Sequence, residues 1–335
     1  MKKCLYNLGV AAALLLATVS CSNEKELMPS DNGEKGTEVI FQLALEDAAD
    51  SRTADHDTNG DVYGRGTKVD NVIAEVYNPV NGKLVARSDG NTISNLKATV
   101  KFRLISGQKY NFVFWAEKKG TGFYETSDLR AVKVNYSGKA NDENRDAFTA
   151  VEKGLYVQSG GINHDVYLKR PFAQLNIAST DEEHDIAEAA NFDCANLKSI
   201  IRINGLHDIY NALEETVGGK ADTSFEYDYV PAKHGEVLKN VTIDNTSANF
   251  KGYLSMNYFL ASPKEVGQTI NVEAEFDPQT SENSNVENVK ISVSNVPVAR
   301  NFRTNIIGNI LTEQSVFNII IEPDFAGDYL KNPNK

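Results

Sequence analysis

Apolar residues fall on every second position in one short run after another. Val39, Phe41, Leu43 and Leu45 form the first run, Ala98, Val100, Phe102 and Leu104 another, and Tyr110, Phe112 and Phe114 a third. Side chains alternate across a strand, so each run reads as one face of a half-buried β-strand. Turn residues divide the runs: Pro79 to Gly82 separate NVIAEVYN (71–78) from KLVARS, which reads as a hairpin. Many short strands at this spacing predict an all-β fold of sandwich type. No helix–strand–helix rhythm is present, which argues against a parallel α/β sheet. Two segments break the alternation. In TDEEHDIAEAANF (180–192), Thr180 and Glu183 have capping-box spacing, which predicts a short helix or a loop. HDIYNALEETVGG (207–219) predicts a short helical turn stopped by its two glycines.

With 335 residues the chain has room for about two domains. The strand pattern restarts at Arg170-Pro171, a proline suited to the start of a strand. The expected division is therefore 37–169 and 170–325, with a polar tail over 326–335. The chain carries 34 Lys+Arg against 46 Asp+Glu, a net charge of -12. Phosphate backbones are bound by basic patches, so nucleic acid is not an expected partner.

The N-terminus carries an export signal. Lys2 and Lys3 precede the apolar stretch 8–19, which is too short to span a bilayer. The stretch ends at Ser20-Cys21, which resembles a lipobox, although Thr18 stands where leucine is commonest. That resemblance implies a signal peptide over 1–20, lipid on Cys21, and a flexible tether over 21–36. The alternative is an ordinary secretory signal with an incidental cysteine. Cys4 leaves with the signal, so Cys194 is the one thiol besides Cys21 and no disulfide within the mature fold is expected.

Sites of chemistry are sparse. His56, His164, His184, His207 and His234 are scattered, with no pair at metal-ligand spacing. No metalloprotease, nucleophile-elbow or phosphate-loop motif occurs. DHDTNGD (55–61) has the flavour of a calcium loop but lacks its twelfth-position acid. No catalysis, cofactor or metal is expected. In RPFAQLNI, Ala173, Leu175 and Ile177 read as the core face. Trp115 points away from Tyr110, Phe112 and Phe114, toward a covering loop. Arg300, Asn301 and Arg303 fall at a turn, where they are expected to hold a loop through backbone carbonyls.

YNFVFWA (110–116), NRDAFTA (144–150), VYLKRPFAQLNI (166–177), YLSMNYFLAS (253–262) and NVPVARNFRTNIIGNILT (295–312) together resemble the Bacteroidales fimbrillin family, the subunits and accessory proteins of type V pili. The resemblance implies two tandem transthyretin-like β-sandwich domains with one or two short helices, in a lipoprotein precursor at the outer-membrane surface. It also implies assembly with other pilus subunits by donor-strand exchange. In that scheme Val39, Phe41, Leu43 and Leu45 form a removable plug, and a protease cuts behind it at Arg52, with Arg65 as a second candidate. The plain alternative is a permanent first strand followed by an ordinary loop. A glycan-binding surface lipoprotein is the other functional reading, and it calls for an exposed aromatic row that includes Trp115.

Overall fold

The structure, a computed structural model, describes residues 36–46, 66–137, 142–231, 241–243, 246–248, 250–278, 286–312 and 316–322. It is an all-β sandwich protein. The first half contributes Thr37–Leu45 (β1), Asn71–Tyr77 (β2), Leu84–Thr92 (β3), Lys97–Leu104 (β4), Gln108–Glu117 (β5), Tyr124–Glu125 (β6), Val132–Val134 (β7), Phe148–Val157 (β8) and Ile162–Leu168 (β9). The second contributes Phe172–Thr180 (β10), the helix Asp181–Ala189 (α1), Lys198–Leu206 (β11), Ile209–Asn211 (β12), Thr216–Gly218 (β13), Ala221–Asp228 (β14), Val230–Pro231 (β15), Val241–Ile243 (β16) and Thr246–Ala248 (β17). Phe250–Leu260 (β18), Gln268–Asp277 (β19), Val289–Val298 (β20), Arg303–Asn309 (β21) and Val316–Glu322 (β22) complete it.

The sheets repeat one plan. The order β4-β1-β9 packs over β3-β2-β5-β8, and the order β18-β10-β21 recurs opposite β14-β11-β19-β20. In both sets the opening strand, β1 or β10, has an antiparallel neighbour on one side and a parallel neighbour on the other. Two parallel pairings thus sit inside otherwise antiparallel sheets, where the alternation had suggested none. Each arises because a strand comes back beside the opening strand of its own sandwich. The change from one set to its repeat falls between Leu168 and Phe172.

The sandwiches are also joined by pairing. β6 and β7 continue into β12 and β13 as one four-stranded sheet. This corrects the helical expectation for 207–219, which forms a hairpin. Asn211 Oδ1 accepts hydrogen bonds from the N–H groups of Leu213 at 3.1 Å and Glu214 at 3.0 Å, closing the turn. β12 then pairs with β7, and Tyr210 is drawn fully into the core. The segment 180–192 does contain a helix, α1, which ends at Asn191 in the left-handed conformation, φ 69°.

β4 shows the pattern the alternation predicted, exposed and buried by turns. β10 does not: all nine of its residues are buried, Gln174 and Asn176 among them. The expected core face of Ala173, Leu175 and Ile177 is therefore only one of two covered faces. Asn176 Nδ2 donates to Asn305 Oδ1 at 2.8 Å, so the polar side is partly paired within the protein.

Candidate functional site

β1 is the middle strand of its sheet. It runs antiparallel to β4 from Thr37 opposite Leu104 to Ala44 opposite Lys97, and parallel to β9 from Val39 beside Ile162 to Leu45 beside Leu168. Both its edges are hydrogen-bonded. Val39, Phe41, Leu43 and Leu45 all face inward, with exposures of 0%, 0%, 3% and 2%. The Phe41 ring lies 4.7 Å from that of Phe112 and 5.0 Å from that of Phe114, and both belong to the facing sheet. The outer face of β1, with Gln42 and Ala44, floors a polar trench of about 730 Å³ that Thr99, Asp165 and Tyr167 also line.

The ends of β1 are held as firmly as its middle. At the N-terminal end Gly161 adopts φ 85°, and a Cβ there would lie 2.7 Å from the carbonyl oxygen of Glu38. Only glycine permits that approach. At the C-terminal end Leu45 meets Gly66, where a Cβ would sit 3.2 Å from the Leu45 side chain and 2.8 Å from the Phe148 ring. The Gly66 N–H donates to Asp146 Oδ2 at 3.0 Å. Asp146 and Arg170 form a bidentate pair at 2.7 and 2.8 Å, with 1% and 0% of their side chains exposed. The Arg170 guanidinium stacks 4.3 Å above the Phe148 ring. One residue beyond β1, Glu46 Oε2 accepts a hydrogen bond from Asn301 Nδ2 at 2.8 Å, so the second sandwich touches the end of the first strand.

Trp115 corrects two expectations. It does lie on the face opposite Phe112 and Phe114, but no part of it is exposed. Its ring packs 5.3 Å from Tyr124, 6.1 Å from Tyr210 and 6.5 Å from Phe172, in the core that the two sandwiches share. It is covered by strands of both halves rather than by a loop, and it cannot join an exposed sugar-stacking row. Its Nε1–H donates to Glu117 Oε2 at 2.9 Å. Burial pushes the Glu117 carboxyl up to about 7 from an ordinary 4.5, against the lowering effects of Trp115 and Arg87. The folded state then holds more protons than the unfolded chain between these values, so this group makes stability rise as pH falls through that window. Glu117→Gln, which keeps an acceptor for Trp115, is expected to exceed the parent in stability at pH 8 by on the order of 2–3 kcal/mol. The gap should close below about pH 4.5, and urea midpoints at the two pH values check this.

Arg300 and Asn301 do sit at a turn, and Arg300 Nη1 donates to the Glu215 carbonyl at 3.5 Å as expected, but both side chains also reach further. Arg300 Nη1 donates to Tyr210 Oη at 3.0 Å and pairs with Glu215 at 3.4 Å. The Asn301 contact with Glu46 spans 255 residues of sequence, and no local pattern could signal it. The Gly66–Asp146–Arg170 arrangement was likewise not anticipated. Its one trace in the sequence is the pair of charged residues near the start of each of two otherwise strand-like blocks, NRDAFTA and KRPFAQLNI. Cys21, Arg52 and Arg65 lie outside the described residues. Among the described residues, no three His, Cys, Asp or Glu side chains gather into a metal-binding group.

No curated protein matches the chain. Several solved structures are similar to it. A provisionally assigned cell adhesion protein from Parabacteroides distasonis is 11% identical with a TM-score of 0.46, over 86% of this chain and 96% of that one. The tip fimbrial protein Mfa3 from Porphyromonas gingivalis, truncated at its C-terminus, is 12% identical with a TM-score of 0.42, over 85% and 98%. A provisionally assigned polysaccharide binding protein from Bacteroides thetaiotaomicron is 10% identical with a TM-score of 0.43, over 85% and 96%. By sequence, residues 31–335 match the family of unknown function DUF6562, and the chain belongs to that family.

Proposed function

We propose that this chain is a structural and adhesive surface protein of fimbrillin type, lipid-anchored through Cys21 at the outer membrane, that joins other subunits by exchanging strands. The observation that carries the reading is the position of β1: first of the described strands yet central in its sheet, bonded on both edges and supplying four residues to the core. A central strand that precedes the other described strands can leave without drawing any of them through the fold. Its departure would open a slot with two unpaired edges and an exposed apolar floor, which another extended segment fills by main-chain bonding. β10 holds the matching place in the second sandwich but continues directly into α1, so it lacks that freedom.

The cut that frees β1 is assigned to Arg52. Arg65, the other arginine between β1 and β2, is followed by Gly66, which is buried with its N–H committed to Asp146. Proteases favour exposed chain, and that position offers none on one side of the bond. Limited digestion of the full chain with a trypsin-like protease tests the reading. The expected result is one early cut after Arg52, with the folded remainder intact, followed by oligomers that resist SDS. A chain that resists cutting at Arg52 and stays monomeric would overturn strand exchange for this protein.

A further inference from the structure

We infer that Asn301, on the second sandwich, selects the strand that the slot between β4 and β9 accepts, by requiring a hydrogen-bond acceptor side chain one residue past the last buried apolar side chain. The use of this selection in assembly rests on the strand-exchange reading above; the contact itself belongs to the uncut chain. Four bonds fix the Asn301 loop. The Asn301 N–H donates to Phe172 O at 2.7 Å, the Arg300 N–H to Ser262 O at 2.8 Å, the Gln174 N–H to Phe302 O at 3.0 Å, and the Phe302 N–H to Ala299 O at 3.1 Å. Backbone held this way presents the Asn301 amide in one place. Its Oδ1 is buried with no partner, so loss of Glu46 would leave the amide wholly unsatisfied.

This contact does what the apolar face cannot do. A strand with apolar residues at every second position keeps its buried face after any slip of two residues. Asn301 distinguishes the native register from a slip of two in either direction, because Glu46 offers it an acceptor and Ala44 or Ala48 would not. The occupant that fits is β22 of a second copy, which in its own copy is the edge strand paired with β21 and leaves that ladder to enter the slot. Its Phe317-Asn318-Ile319-Ile320-Ile321-Glu322 sets against Phe41-Gln42-Leu43-Ala44-Leu45-Glu46, with the same aromatic at the start, a side-chain amide next, and the same carboxylate at the end.

The test is amide hydrogen exchange on the full, uncut chain. Asn301→Asp faces Glu46 with a like charge, and aspartate tolerates the φ of 63° at this position. The expected result is exchange over residues 39–46 about tenfold faster or more. Adding Glu46→Gln reverses donor and acceptor and should bring the rate back to within about twofold of the parent. Unchanged exchange at 39–46 would overturn the inference. So would equal acceleration across 172–177 that Glu46→Gln fails to rescue, since that is the mark of a merely damaged loop. The two readings fail separately. A chain resistant at Arg52 that shows the rescue retains Asn301 as the reader of its own strand and loses strand exchange. A chain that is cut and assembles without the rescue loses only Asn301.

Discussion

Phe41→Ala is expected to lower the unfolding free energy of the full chain by about 3–5 kcal/mol, the usual cost of deleting a buried phenyl ring. The ring has no exposed surface and contacts Phe112 and Phe114 across the sandwich. Its removal leaves a cavity facing two aromatics on a strand already bonded along both edges. Side chains beside it cannot collapse inward without breaking the ladders to β4 and β9. Gln42→Ala is the matched control, because Gln42 lies on the outer face of the same strand, and its cost should stay within about 0.5 kcal/mol. Urea titration of the two variants checks the comparison through the midpoint at unchanged slope. Equal effects would show that β1 is not part of the cooperative fold.

A loss of similar size is expected at the buried ion pair. Arg170→Met leaves Asp146 charged in a site with about 1% exposure, and Asp146→Asn takes the bidentate carboxylate away from Arg170. Each single variant should lose about 3–5 kcal/mol, because a buried charge then loses the bidentate pairing that offset its desolvation. The double variant, Arg170→Met with Asp146→Asn, should lose less than the sum of the two. The coupling between them should be about 0.5–3 kcal/mol, measured as a double-mutant cycle from urea midpoints. Asparagine retains an oxygen for the Gly66 N–H, so the turn after residue 65 keeps its anchor in the double variant. Additive losses would mean that the two side chains act on separate parts of the junction.

These two sites show why the first strand and the junction belong together. Phe148 stacks under Arg170 and crowds Gly66, and Gly66 meets Leu45 at the end of β1. The path from the first strand to the start of the second sandwich is one packed series of side chains. Glu46 with Asn301 adds a second link beside it. The end of β1 is therefore held by residues of both halves.

Local reading reached the strands whose two faces differ. β1 and β4 alternate because water lies on one side and the core on the other, and that contrast is written residue by residue. It failed where the contrast vanishes. β10 is covered on both faces, so Gln174 and Asn176 looked like a solvent side when they are part of the interior. It failed again at 207–219, where the two closing glycines read as a helix stop. Pairing with β7 and the burial of Tyr210 beside Trp115 make the segment a hairpin instead.

The amino-acid sequence by itself determined the all-β class and the inward set Val39, Phe41, Leu43 and Leu45, because alternation is a property of one strand facing one boundary. Tertiary structure alone decided which strands are neighbours. That β1 lies between an antiparallel and a parallel partner, that Arg170 meets Asp146, and that Asn301 meets Glu46 across 255 residues all depend on how the sheets close on one another. A periodicity records that a face is buried; it does not record against what, since any apolar strand of the same pitch would satisfy it.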